Sequence, residues 1–458
     1  MNKTRILARN LVKVRYQALP EKLVEVTKMC ILDTIGVMLA ATTQGEACRE
    51  VVELAKEGGG REESSIIGFG GKVPAWMAAF ANGALTHPLD YDDMHVGGHV
   101  HPTAASLPAA LAIAESLSSS GRDLITAVAL ASDLVCRLGM CATKDQAEYG
   151  WLTPPLLGFF GAAAAAGKLL KLSEDQMVSA LAFSFHQATG SFEMASGANS
   201  IFRAIYEAFI GKAGVLSALM AKKNLAGGED VLEGKYGLFN LHFQGEYDPK
   251  PLTDRLGEHF EGVNTSLKPW PSCGGSYPFI DATLNLVKEK KLEPENVAEI
   301  MLVVNAFGQE GCEPLAGRRA PKKSVDAKYS VPFCVAHALV HQKVDMASFS
   351  KKGLEDPAVL RAAQKINYTR DLMLNGEKLL PGTMVVKTLG GETYTKRVDA
   401  FYGSPEKPMA ENDRIAKIRD CASFSIKPMP ERKVDKLIQM TGELDSLDNV
   451  GQLIQLLT

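Results

Sequence analysis

Residues 154–188 read PPLLGFFGAAAAAGKLLKLSEDQMVSALAFSFHQA. Apolar residues recur here at helical spacing, and the charges gather between Lys168 and Asp175. The pattern predicts two helices, 154–171 and 173–188, each apolar on most of its circumference and so buried on most sides. The run Gly161–Gly167 (GAAAAAG) lets helix backbones approach closely and reads as a packing seam, not as chemistry. The same style extends outward in both directions. Pro20–Ala40 carries Leu23, Val26, Met29, Leu32, Ile35 and Val37 at near-helical spacing. Pro74 suits the first turn of a helix reaching Leu85. Further apolar helices are predicted at 103–118, 121–141 and 204–223. Residues 1 to about 265 are thus helical almost throughout.

After Lys268 the style changes. Ala298–Ala306 (AEIMLVVNA) reads as a strand, Asp326–His341 and Asp356–Lys365 as helices. Thr383–Thr388 and Glu392–Phe401 flank Leu389-Gly390-Gly391, a hairpin turn. From Glu411 helices return and run to Leu457. The fold class is mainly α: a large all-helical domain, 1–266 and 402–458, plus a smaller α+β lid domain, 267–401.

The 458 residues carry 50 Lys plus Arg against 53 Asp plus Glu, a net charge of -3. That balance argues against a nucleic-acid partner, which calls for a basic excess. No uninterrupted apolar run of about 18 residues predicts a membrane span. The eight cysteines are scattered without a CxxC pair, as expected of reduced thiols in the cytoplasm. The basic start (Lys3, Arg5, Arg9, Lys13, Arg15) reads as the first helix of the fold, with a mitochondrial presequence as the alternative. Gly317–Lys323 is read as a solvated charged loop.

No GxGxxG, Walker or HExxH sequence is present, so no cofactor is expected. The densest polar cluster is Asn82–Thr103, NGALTHPLDYDDMHVGGHVHPT. It holds four of the nine histidines (His87, His95, His99, His101) and Asp90, Asp92 and Asp93. Three readings stand side by side: a carboxylate–histidine metal site, metal-free acid–base work by a His–carboxylate pair, and helix capping beside a surface loop. A second cluster, Ser266–Pro278 (SLKPWPSCGGSYP), sets Lys268 in a rigid, partly apolar frame. A lysine there can clamp a carboxylate or act as a base. Ser272–Gly275 offers backbone N–H groups as an anion nest. The bland alternative is a linker. A third, Asp326–Pro332 (DAKYSVP), places Lys328, Tyr329 and Ser330 at a helix start, with Asp326 as N-cap. A fourth, Ala198–Tyr206, carries Arg203 among apolar neighbours.

Together these stretches resemble the MmgE/PrpD family, which includes 2-methylcitrate dehydratase, cis-aconitate decarboxylase and iminodisuccinate epimerase. The matching segments are 19–40, 81–115, 157–177, 268–282, 326–336 and 402–409, in family order and spacing. The resemblance implies a helical domain and a lid with the active site between them, a homodimer, and no metal or organic cofactor. It therefore favours metal-free acid–base chemistry. It assigns Asp90, His101, Lys268 and Tyr329 to catalysis, and Arg203, Ser272, Cys273 and Lys328 to binding a small polycarboxylate. Met94, Leu152, Tyr206 and Tyr277 stand where the family has Thr or His, which leaves the substrate open. The resemblance ranks dehydration of a 2-methylcitrate-like hydroxy acid first. Epimerisation or decarboxylation of a related acid comes second, and a non-catalytic binding protein third.

Overall fold

A computed structural model describes residues 2–144, 146–196, 200–374 and 380–458. The chain divides into two units, Met1–Leu267 with Ala410–Thr458, and Lys268–Met409.

The first unit is built around the helix Thr153–Leu169, which packs against Pro102–Ser116, Gly121–Met140, Glu174–Gln187 and Phe202–Lys222. Nearly all of its residues are buried, as its missing polar face requires. Small residues set the crossing distances. A Cβ at Gly214 would lie 2.3 Å from Ala162 Cβ and 2.6 Å from its carbonyl carbon. One at Gly161 would meet Val135 Cγ2 at 2.4 Å, a side chain that can yield. Phe202–Lys222 is long and apolar enough to cross a membrane by composition, with mean hydropathy 1.3, but packs on neighbouring helices within this unit. The basic start forms the helix Lys3–Lys13, which buries Leu7 and Leu11. Arg5 and Arg9 pair with Glu174. The only strands of this unit among the described residues are the short pair β1 (Ser64–Ser65) and β2 (Lys72–Val73).

The C-terminal helices Glu411–Ser423 and Glu431–Gly442 pack on Glu21–Gln44. Their anchor is buried. Lys417 Nζ lies 2.7 Å from Asp33 Oδ1, donates to the Tyr91 carbonyl at 2.8 Å, and sits 3.9 Å from the Tyr91 ring centre. The return of the chain thereby fixes the loop that carries Asp90, Asp92 and Asp93.

The second unit holds a four-stranded sheet in the order β4-β3-β5-β6. The strands are β3 (Val297–Val304), β4 (Ile366–Arg370), β5 (Gly382–Thr388) and β6 (Thr393–Val398). β3 runs parallel to β4 and antiparallel to β5, with Ile300 opposite both Ile366 and Val386. Ile300, Leu302 and Val304 alternate inward with Met384 and Val386. The helix Tyr277–Lys290 covers β5 and β6 and meets Val331–His341.

Three readings of the sequence need correction. β4 was not anticipated; only Ile366 of its five residues is buried, so it carries no alternation. The segment 326–341 is two helices, because Ser330 caps Val331–His341 by accepting from Phe333 N–H, with Pro332 in the first turn. Asp326 lies within Ser324–Lys328 and is not the N-cap. Residues 402–409 belong to the second unit rather than the helical one. Tyr402 N–H and Lys407 Nζ both reach Asp281 Oδ2, at 3.1 and 2.6 Å.

The glycine contacts give a graded expectation. Gly214→Ala, which drives a Cβ into backbone, should destabilise by about 1–3 kcal/mol. Gly161→Ala, facing only Val135, should lose less. Chemical denaturation of both variants checks the order; equal losses would contradict the backbone-contact argument.

Candidate active site

The helix Ala75–Gly83 ends against Phe202–Lys222; a Cβ at Gly83 would lie 2.4 Å from the Glu207 carbonyl oxygen. The chain then passes His87, turns through Asp90 at φ 50°, and reaches Asp92 and Asp93. The turn closes with Asp90 N–H donating to the His87 carbonyl at 2.9 Å. This brings Asp92 back onto His87, whose Nδ1 lies 3.0 and 3.1 Å from the two carboxylate oxygens. His101, preceding Pro102 at the start of the next helix, places its Nδ1 3.2 Å from Asp92 Oδ2 and 2.8 Å from the Asp93 carbonyl. The centres of the two imidazole rings are 4.6 Å apart, and the Tyr206 ring lies 4.9 Å from that of His87, tilted by 48°.

A carbonyl only accepts, so His101 Nδ1 carries the hydrogen, and Nε2 is the nitrogen that can gain or lose a proton. Asp92, fully buried, faces both rings. His101 is the more accessible ring, its side chain 16% exposed against 4% for His87. The resemblance places Asp90 among the catalytic residues. Asp92 Oδ2 lies within hydrogen-bond distance of His101 Nδ1, and Asp90 is buried at the left-handed turn. His87, Asp92 and His101 also bring three possible metal ligands within 4.8 Å of one another. Both rings present Nδ1 to Asp92, however, and at His101 that nitrogen must donate to a carbonyl. A metal-bound nitrogen cannot donate, so His101 Nδ1 is not a ligand atom in this arrangement.

Two further acids lie close by. Asp93 accepts from Thr103 N–H at 3.2 Å, and burial, reinforced by the charges of Asp92 and Asp33, raises it to about 7. Glu207 is 1% exposed, and neither carboxyl oxygen has a hydrogen-bond partner among the described residues. Burial, then the negative charges of Asp92 and Asp93, push its pKa well above the usual carboxylate range. The sequence reading missed Glu207. One acid on an apolar helix is a weak signal without its tertiary neighbours.

Arg203 lies in the first turn of Phe202–Lys222 and is half-buried. Ala198 and Asn199 of the same cluster lie outside the described residues. Leu152 is the residue before the central helix, its N–H donating to the Gly190 carbonyl at 2.6 Å.

The second unit brings the Lys268 and Lys328 clusters together. Cys273 N–H donates to the Lys328 carbonyl at 2.9 Å. Lys268 and Lys328 are buried, Tyr329 half-buried, and Ser272 Oγ lies 2.9 Å from Ser276 Oγ. Tyr277 is fully buried, and its phenol donates to the carbonyls of Ser272 and Trp270, at 2.7 and 3.2 Å. It clamps the loop. The N–H groups of Ser272 and Cys273 are engaged by Trp270 and Lys328, so the anion nest expected there is partly consumed.

A helical unit with a buried two-histidine, one-aspartate constellation, joined in sequence to an α+β unit, defines the class. The chain belongs to the MmgE/PrpD family: the MmgE/PrpD N-terminal domain matches residues 5–250 and the MmgE/PrpD C-terminal domain residues 270–442. Among its relatives, the cis-aconitate decarboxylase of Homo sapiens is 27% identical, over 96% of this chain and 91% of that protein. That of Mus musculus is 25% identical, over 96% and 90%. That of Aspergillus terreus is 25% identical, over 86% and 83%.

The acid at 207 carries a stability prediction. Its native pKa is raised, so the native state holds its proton to higher pH than the unfolded chain does. The wild type therefore loses stability as pH climbs above the ordinary carboxylate range. Glu207→Gln removes that loss, and its gain in melting temperature should be larger at pH 8 than at pH 5. An equal gain at both values would show that Glu207 is not a protonated acid in the native state.

Proposed function

We propose that this chain is a lyase acting on a small unsaturated polycarboxylate of the cis-aconitate kind, with His101 Nε2 as the atom that delivers the proton. The observation that carries the reading is the double hold on His101 Nδ1, by the Asp93 carbonyl and Asp92, in a chain matched along most of its length by cis-aconitate decarboxylases. Decarboxylation needs one proton. The C–CO₂⁻ bond breaks, its electron pair is delocalised toward a remaining carboxylate, and CO₂ leaves. The carbon then takes a proton from the His101 imidazolium, which water restores. Asp92 stabilises the imidazolium in a buried setting where its charge acts strongly. In this reading Arg203, whose fork suits a carboxylate, and Lys268 and Lys328 hold substrate carboxylates. Ser272 and Cys273 line the binding loop.

Dehydration of a 2-methylcitrate-like hydroxy acid is the second reading. It requires a base at carbon and an acid at the leaving hydroxyl. Tyr329 is the half-buried phenol that favours it. Epimerisation needs proton-transfer groups on both faces of one carbon. In the Asp92 cluster only His101 combines the ring geometry with appreciable exposure.

Proton NMR in D₂O with a panel of hydroxy, amino and unsaturated polycarboxylates separates these reactions. Decarboxylation appears as a product lacking one carboxyl and carrying one solvent deuteron. Dehydration gives a new vinylic signal with all carboxyls kept. Deuterium at an α-carbon with only a stereoisomer formed means epimerisation. No turnover with any of them, together with tight binding of one, would favour a binding protein and overturn the lyase reading.

His101→Ala should lower turnover by about 10²-fold or more; near-wild-type turnover removes it from the mechanism. Lys268→Met should chiefly raise KM, and unchanged KM and kcat would sink its carboxylate role. Treatment with a strong chelator should leave turnover unchanged. Loss of activity restored by a stoichiometric metal would overturn the metal-free reading.

A further inference from the structure

Between Asp93 and His101 the chain leaves the acidic cluster, turns, and comes back. His95 N–H donates to the Val100 carbonyl at 2.9 Å and Val100 N–H returns to the His95 carbonyl at 3.4 Å, closing a small hairpin. The turn Val96–Gly98 is pressed flat on the helix Gly121–Met140. A Cβ at Gly139 would lie 2.1 Å from the Gly98 carbonyl oxygen, and one at Gly98 would lie 2.9 Å from the Cys136 carbonyl oxygen.

The His95 side chain, 4% exposed, is buried at this hairpin and does two things. Its Nδ1 accepts from Gly98 N–H at 2.9 Å. A backbone N–H only donates, so His95 Nδ1 bears no hydrogen and its proton is on Nε2. That Nε2 lies 3.7 Å from Glu261 Oε2, a long contact, so Nδ1 is the firmer tie. Glu261 is itself fixed. It accepts from Asn264 Nδ2 at 3.0 Å and meets His259 Nε2 at 3.1 Å. Its N–H donates to Asp133 Oδ1 at 2.7 Å. Asp133 in turn pairs with Arg137 at 2.9 Å, both buried in Gly121–Met140. His95, Asn264 and His259 together hold the Glu261 carboxyl down to about 2.

We propose that His95 is a positioning residue for His101. Through Nδ1 it closes the turn that delivers His101, and it sets Nε2 toward Glu261, which is bound to the Asp133–Arg137 pair of the helix beneath. The proposal rests on His101 being the proton-transfer residue. The two histidines have opposite tautomers, set by what each Nδ1 faces: a carbonyl at His101 and an N–H at His95. Loosening the turn moves His101 relative to Asp92, and small displacements of a catalytic group cost turnover rather than affinity.

The test uses the full chain and two readouts. The first is deuterium exchange at the imidazole Cε1–H of His101, followed by mass spectrometry without substrate. The second is kcat and KM on whichever panel compound is turned over. His95→Ala should speed exchange at His101 and lower kcat by about 10- to 100-fold, with KM changed by less than about threefold. His95→Asn, whose Oδ1 can accept from Gly98 N–H, should restore slow exchange and most of kcat. Wild-type exchange and turnover in His95→Ala would overturn the proposal. So would a folded His95→Asn as impaired as the alanine variant. Altered exchange with unaltered kcat would leave the positioning role standing and remove His101 from the reaction. If His95→Ala does not fold, Glu261→Gln should still speed exchange at His101, and unchanged exchange there would overturn the proposal.

Discussion

The helical unit depends on one buried carboxylate facing two imidazoles. Asp92 is fully buried, and a lone charge in that position would be strongly disfavoured. The Nδ1 atoms of His87 and His101 stand against its two oxygens and compensate that burial. The same contacts orient both rings, so the interaction that makes the charge tolerable also aims His101 Nε2. Tyr91, next to Asp92, is held by Lys417 from the far end of the chain.

Several acids crowd this region, and each meets burial differently. Asp33 has Lys417. Asp92 has two histidines. Asp93 has the Thr103 N–H and rises to about 7. Glu207 has no hydrogen-bond partner among the described residues, and its pKa is pushed well above the usual carboxylate range. The physical principle is common to all four: buried charge must be matched, shared or neutralised. Two buried acids with raised proton affinity beside a third facing two imidazoles put the region under electrostatic load, a frequent mark of a functional site. The layer beneath, from Arg137 through Asp133 to Glu261, is by contrast closely paired.

In the second unit the polar groups serve the loop as much as any ligand. Tyr277 spends its hydroxyl on two backbone carbonyls, and Cys273 N–H is engaged by Lys328. These bonds join Lys268–Tyr277 to Ser324–Ser330 and set the backbone positions of Lys268, Lys328 and Tyr329. Tyr277 is a structural clamp, so its presence says little about the substrate.

Much of the fold was legible in the residues alone. The helices around 154–188 follow from apolar spacing, and the hairpin at 388–392 from its glycines, because both are local properties of the chain. The Asn82–Thr103 cluster stood out as dense in chemistry for the same reason. What the chain could not declare was pairing. Asp90 and Asp92 are equivalent in sequence; the left-handed turn at Asp90 and an anchor 326 residues away decide that Asp92 meets both rings. Glu207 and His95 acquire meaning only from neighbours brought in by other helices. The sequence determined which segments are helix or strand and which residue types could do acid–base work. The tertiary structure decided which donor faces which acceptor, because a hydrogen bond fixes a tautomer only when both partners are held in place.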